Sequence, residues 1–497
     1  MSFIIDAFTI LKKKNSKIKF NFFLNKDDPS QLEKENITYL KNSNLNAKIF
    51  YLNSSSNFKK KIDMNYLNYF EKISDKNIWK IISSDRKYGR FYMNDIHAYR
   101  EDKKKYENIL INFVDISKRI EKILIKLKPN IIYISNGLSN LEVSILNILA
   151  KKYGAKVLVP HPSLYKNYIY FANDIYTYSD KIENFYKKVK KNFFSKKIKK
   201  LFEETQNVKG VESLDKEMIK EQISRMKKKN IINILLGDIL YAILKHSFLK
   251  LIFLTGIKYK NLNILKQYNL IVKIKDEIFL KKMTKFLLSF KMPNLKKKYV
   301  YCPLFLIPET ESLLKGNDFM NQAFFIETVS KNIPSNYKLY VKEHPGMLTS
   351  HSRKIEFYKR INLLPNVELV PLYSDGMELI KNSKLVIVVG GSSGFEAMLA
   401  NKPVVTFSYF VYSFLGLTVA NNNINDLRND IHNAIKINLG TKPKQFEKKI
   451  KSLIFSISKT CYQISKPGFF FFKTKNFKDK EICGKELAEA LISELNI

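Results

Sequence analysis

Residues 384–408 read KLVIVVGGSSGFEAMLANKPVVTFS. Behind Lys384 stand Leu385 to Val389, an unbroken apolar run with the composition of a short strand buried on both faces. Gly390 and Gly391 then permit a sharp turn. Ser392, Ser393 and Gly394 follow, and FEAMLA reads as the first turns of a helix that Asn401-Lys402-Pro403 ends. VVTFS is the next buried strand. The unit is β-α-β, with a small-residue turn at the C-terminal end of its first strand, where open parallel sheets bind ligands. Helix N-termini present unpaired N–H groups and a partial positive charge, so a phosphate fits there. The plainer explanation is an S-x-x-E capping box made by Ser393 and Glu396. Capping alone does not call for the whole run from Gly390 to Gly394.

The chain has 497 residues, enough for two or three domains. A hydrophobic content of 45% with 13% aromatic residues suits a folded protein and argues against extended disorder. Lys and Arg number 86 against 46 Asp and Glu, a net charge of +40. That excess points to an anionic partner: nucleic acid, an acidic membrane surface or a charged sugar polymer. Lys, Asn and Ile are all abundant, so part of the excess is compositional bias. No RNA- or DNA-binding motif accompanies it, and no nucleic-acid partner is expected. Cys302, Cys461 and Cys483 lie far apart without CxxC spacing and imply neither a zinc site nor a disulfide framework. The N-terminal MSFIIDAFTILKKKN lacks the apolar core and cleavage site of a signal peptide. The apolar run at 231–256 is broken by Asp238, Lys245, His246 and Lys250, so a buried or interfacial helix is expected there rather than a membrane span. The expected location is cytoplasmic, with peripheral attachment to the inner face of the membrane as a second expectation.

Around the opening unit the chain reads as α/β, with two Rossmann-like domains facing a cleft, an arrangement called GT-B that many nucleotide-sugar glycosyltransferases use. Residues 1–295 form the acceptor-side domain, with a helical basic insertion at about 180–295. Residues 296–478 form the nucleotide-donor domain, and 479–497 a last helix. In the first domain 17–24 and 47–53 read as strands, 77–106 as charged and aromatic helix, and 116–127 as helix. The run 129–162 is a second β-α-β unit, whose turn Ser135-Asn136-Gly137 offers a place to hold substrate. FYKKVKKNFFSKKIKK at 185–200 is a basic amphipathic helix of the kind that lies on an anionic bilayer; a solvated helix face explains it equally well. VYCPLFLIP opens the second domain. Helices at 322–332, 355–363, 375–382 and 425–439 then alternate with strands at 337–345 and 366–372.

In parallel strands, three turns of the second domain converge: Glu343-His344-Pro345, Leu372 to Asp375, and Gly390 to Gly394. His344 stands in a turn that Pro345 stiffens, where an imidazole can donate to a donor phosphate or its leaving group. Lys342 adds charge, though only one of Lys342 and Glu343 points the right way. An acid, base or carboxylate nucleophile is also required. Glu309 and Glu311, in PETES after the domain's first strand, are the candidates. Asp375 is a further carboxylate that equally caps the helix after it. No metal site is expected, and no cofactor beyond the donor substrate.

The blocks PETES with LLKG, KLYVKEHP, LPNVELVPL and NSKLVIVVGGSSGFEAMLANKPVVTF resemble the capsule polysaccharide biosynthesis proteins, the group that includes the capsular β-Kdo (3-deoxy-manno-octulosonic acid) transferases. PNIIYISNG, LEVSILNILAKKYGAKVLV and the later Phe171-Ala172-Asn173-Asp174 match that family's style, and the blocks together cover about half the chain. The resemblance implies a GT-B fold and a CMP-activated donor carrying Kdo or another nonulosonic acid. It places His344, Ser392 and Ser393 at the donor phosphate and Glu396 near the ribose; Pro345, Gly391 and Gly394 complete the candidate nucleotide site. It also implies an acidic residue in the loop after the domain's first strand, where the catalytic candidates Glu309 and Glu311 stand; Asn136 and Asp174 are the candidates on the acceptor side. The acidic loop here lacks a Q-x-D motif, which leaves the stereochemistry open. The HP and serine pairing also resembles bacterial sialyltransferases and the polyol-phosphate polymerases of teichoic acid synthesis. The expected function is transfer of an acidic sugar to a polysaccharide or glycolipid acceptor. The alternatives are a CDP-polyol phosphotransferase, an epimerase of the same architecture, or a non-catalytic assembly protein.

Overall fold

A computed structural model describes residues 2–24, 37–51, 61–86, 88–89, 92, 106–135, 140–165, 167–189, 196–207, 270–307, 311–350, 353–421, 423–436, 443–465 and 477–497. The apolar run at 231–256 lies outside them.

The N-terminal half begins with α1 (Ser2–Lys14), then β1 (Asn21–Leu24) and β2 (Lys48–Tyr51), which pair in parallel. Helices α2 (Met64–Ser74), α3 (Ile78–Ser83) and α4 (Tyr106–Leu127) lead to β3 (Ile131–Tyr133), α5 (Leu141–Lys152) and β4 (Lys156–Pro162). Strands β3 and β4 are parallel, as the β-α-β reading requires. The sheet then turns mixed, because β5 (Tyr168–Ala172) runs antiparallel to β4. Helices α6 (Asp180–Lys188) and α7 (Lys196–Asn207) follow.

The C-terminal half opens with α8 (Leu270–Leu288) and continues β6 (Tyr299–Pro303), α9 (Gln322–Asn332), β7 (Lys338–Lys342), α10 (Met347–Ser350), α11 (Ile355–Asn362) and β8 (Val367–Val370). It continues with α12 (Gly376–Asn382), β9 (Leu385–Val388), α13 (Ser392–Leu399), β10 (Val404–Thr406), β11 (Thr418–Ala420) and α14 (Leu427–Lys436). The six strands form one sheet in the order β11-β10-β9-β6-β7-β8, with every pairing parallel. Counted from β6 this is the 3-2-1-4-5-6 order of a doubly wound dinucleotide-binding sheet, whose ligand crevice opens where the order reverses. Here the reversal falls between β6 and β9.

Side-chain alternation explains why the central strands β6 and β9 carry no charged residue. On β6, Tyr299 and Tyr301 point into one core while Val300 and Cys302 point into the other. On β9, Val386 and Val388 share the face of the tyrosines, and Leu385 and Ile387 the opposite one. Helices α9, α11 and α14 cover the second face through Phe325, Phe357 and Ile431; α12 and α13 cover the first through Leu379 and Phe395. Both faces are therefore buried.

The chain does not stay in this half. Helix α15 (Pro443–Thr460) packs on α6 and α7, and β12 (Tyr462–Gln463) pairs antiparallel with β5. Helix α16 (Phe477–Leu495) lies against α1, with Cys483, Leu487 and Leu491 in one core with Phe3, Ile4 and Leu11. The return to the N-terminal sheet thus falls within 296–478, ahead of the boundary expected from sequence. It also uses the apolar side of the basic helix α6: Ile182 and Tyr186 are buried, and Phe185 packs on Phe455. Along 180–189 that side faces α15, and Lys181, Lys187 and Lys188 are exposed. Among the described residues no helix is long and apolar enough to cross a membrane.

Candidate functional site

At the end of β9 the chain makes the turn that residues 390–394 suggest, and its details exclude the capping box. Gly391 is the N-cap of α13, at φ 95° and ψ −167°, and no side chain caps this helix. Ser392 and Ser393 are its first two residues, so Ser393 stands too late to serve as N-cap. Gly391 lies in backbone territory that only glycine occupies readily, and an added Cβ would meet nothing within 4 Å. The buried Tyr412 hydroxyl donates to the Gly391 carbonyl at 3.0 Å and holds the turn. Ser392 is exposed and Ser393 half-buried at the opening. Gly394 is buried beneath them, where a Cβ would meet the Tyr412 hydroxyl at 2.3 Å.

The corresponding turn of the N-terminal half is built differently. The start of α5 is closed by Asn140, which accepts from the Val143 N–H, and by buried Asp85, which accepts from the Leu141 N–H. Its amides are satisfied internally, whereas those of α13 have no side-chain cap. An anion therefore has a reason to bind at the C-terminal sheet.

His344 follows β7, half-buried, two strands across from Gly391 and so about 10 Å away by inter-strand spacing. Its Nδ1 accepts from the Gly346 N–H at 3.1 Å, so the neutral ring carries its proton on Nε2. The Met347 N–H donates to the His344 carbonyl at 2.9 Å, closing the turn around buried Pro345.

What positions His344 is a buried cluster that the sequence does not announce. Glu343 is 3% exposed and turns inward. Its Oε1 accepts from the His344 N–H at 2.6 Å; its Oε2 accepts from Arg353 Nε and the Tyr358 hydroxyl, each at 2.6 Å. Arg353, fully buried, also donates to the Phe305 carbonyl at 2.8 Å and to Gln322 Oε1 at 3.1 Å. Gln322 in turn brackets Phe305, accepting from its N–H and donating to its carbonyl. The Ile307 N–H reaches the Met347 sulfur at 3.4 Å. The loop after β6 and the turn after β7 are thus locked together beside the crevice.

The other candidates fare unequally. Glu309 and Asn136 lie outside the described residues, as does the side chain of Glu311, which opens a π-helical turn at Glu311–Lys315. Asp375 caps α12, accepting from the Met377 and Glu378 N–H groups. Asp174 is 9% exposed; it pairs with Lys151 on α5 and accepts from the Tyr176 N–H, which makes it a buried anchor of its turn. Glu396 is half-buried on α13, and its charge adds to burial in pushing the Tyr301 hydroxyl pKa up, so the carboxylate lies within reach of β6. Lys342 is buried at the end of β7.

Residues 290–439 match the family model described as capsule polysaccharide biosynthesis protein. Among solved structures, a β-Kdo 2,7 transferase, KpsC of Thermosulfurimonas dismutans, aligns over 76% of this chain and 89% of its own at 12% identity and a TM-score of 0.31. The KpsC β-Kdo 2,4 transferase of that organism aligns over 71% and 85% at 12% identity and 0.30. A UDP-GlcNAc 2-epimerase from Neisseria meningitidis covers 100% of this chain and 96% of its own at 10% identity and 0.21. At these scores the structural likenesses transfer no activity. No curated protein matches the chain.

Proposed function

Because residues 290–439 match the capsule polysaccharide biosynthesis family model, we propose that this protein is a glycosyltransferase moving an acidic sugar, Kdo or another nonulosonic acid, from a CMP donor. The observation that carries the reading is the glycine-capped start of α13 at the reversal point of the six-stranded sheet, with His344 on a neighbouring turn. When the glycosidic C–O bond to the donor breaks, its electron pair goes to the phosphate of CMP. The α13 amides, the hydroxyls of Ser392 and Ser393 and the Nε2–H of His344 stabilise that charge as it develops. The acceptor hydroxyl forms the new bond to the anomeric carbon and gives its proton to a carboxylate, the role proposed for Glu309 or Glu311. The acceptor is a surface polysaccharide or glycolipid. The net charge of +40 supports a polyanionic acceptor or an anionic membrane surface beside it.

Calorimetry with CMP and CDP tests the reading. Wild type binds CMP, and His344→Ala weakens it while lowering turnover of CMP-Kdo by about 10²–10³-fold, the usual loss of one charge-stabilising donor. No binding of either nucleotide to wild type would refute the enzyme. Turnover of CDP-glycerol in place of CMP-Kdo would move it to polyol-phosphate transfer.

A further inference from the structure

A cavity of about 440 Å³ lies between the two α/β units, bordered by Lys76, Lys80 and Tyr178 on one side and Lys315, Tyr409 and Phe410 on the other. It adjoins the glycine turn, because a Cβ on Gly390 would fall 1.6 Å from the Phe410 ring. Lys315 leaves the π-helical turn, is 8% exposed, and sets its ammonium 3.7 Å from the centre of the Tyr178 ring. Lys76, half-buried, sets its own 3.1 Å over Tyr176. Two carboxylates also border the cavity, Asp180 and Glu183; Glu183 is engaged by Lys187 and by the Tyr409 hydroxyl. Burial lowers the pKa of Lys76, and that of His161 with help from the charge of Lys315. Incoming negative charge would relieve both effects. The cavity is too large for a phosphate alone, and its aromatic walls with a few fixed charges suit a sugar ring bearing one anionic group.

We propose that this cavity is the acidic-sugar subsite, in which the ammonium groups of Lys315 and Lys76 hold the sugar's carboxylate. The inference rests on the glycosyltransferase reading and adds the group that selects an acidic over a neutral sugar. Donor sugar and acceptor terminus both offer that carboxylate.

Calorimetry on the full chain with CMP, CMP-Kdo and the methyl glycoside of Kdo separates the cases. Lys315→Met and Lys76→Met each weaken a carboxylate ligand by about tenfold or more, the worth of a charge-assisted hydrogen bond, and leave CMP unchanged. A loss confined to CMP-Kdo assigns the carboxylate to the donor; a loss confined to the glycoside assigns it to the acceptor terminus. The proposal is overturned if both variants bind both sugars within twofold of wild type. Equal weakening of CMP overturns it too, because the lysines then serve the phosphate. If Lys315→Met does not fold, Lys76→Met and a comparison of the glycoside with its neutral methyl ester on wild type decide the matter. Failure of wild type to bind CMP is a separate result, against the enzyme rather than the subsite.

Discussion

Gly390 and Gly391 are adjacent glycines required for different reasons. Gly390 has no room for a side chain, because the Phe410 ring occupies the place of its Cβ. Gly391 has room, but its φ of 95° strains any other residue by about 1–3 kcal/mol. Gly390→Ala must move Phe410, so it should depress the melting temperature more than Gly391→Ala does. Gly391→Ala should instead turn the first α13 amides and weaken CMP by about tenfold, since several such donors act together. Thermal denaturation and calorimetry on the two variants check this; wild-type CMP affinity in Gly391→Ala would count against the anion site. The glycine turn was legible from residue type alone. That neither serine caps the helix was not, because one residue of register separates a capping position from the first turn, where Ser392 and Ser393 stand.

At the scale of elements, the ends of β6 and β7 are held by Glu343, Arg353, Tyr358 and Gln322. Removing one side of a buried ion pair leaves the other charge uncompensated, and Arg353→Met should cost about 3–5 kcal/mol. Replacing both partners with apolar residues often restores stability. Glu343→Met with Arg353→Met should therefore recover much of the melting temperature without recovering CMP binding, because the His344 N–H has lost its acceptor. Denaturant unfolding and calorimetry on the single and double variants measure this. Recovery of binding with stability would show that the pair does not position His344. In KLYVKEHP the histidine stood out and the glutamate before it read as a strand neighbour. Its partners lie 10 and 15 residues further on, with nothing local to mark the pairing.

At the scale of the molecule, the two halves are tied by a C-terminal segment that crosses back. Truncation after residue 465 removes α16 and exposes Phe3, Ile4 and Leu11 of α1. Burial of each large apolar side chain contributes about 1.5–3 kcal/mol, so loss of this helix should exceed ordinary stability margins. The truncated chain should be cleaved rapidly in limited proteolysis and lose cooperative unfolding; native-like resistance would show that α16 is dispensable. The same crossing covers the aromatic side of the basic helix α6, which meets α15 within the protein.

The sequence alone determined the parallel C-terminal sheet, its helices and the phosphate-sized turn after β9. Those depend on short-range signals: apolar runs, period-two burial, glycine where the backbone must turn sharply. Only the tertiary structure decided that α13 lacks a side-chain cap while α5 has two, that Glu343 serves Arg353, and that lysines 76 and 315 line one cavity. Each depends on residues distant in the chain, and a hydrogen bond or charge pair across that distance leaves no local pattern.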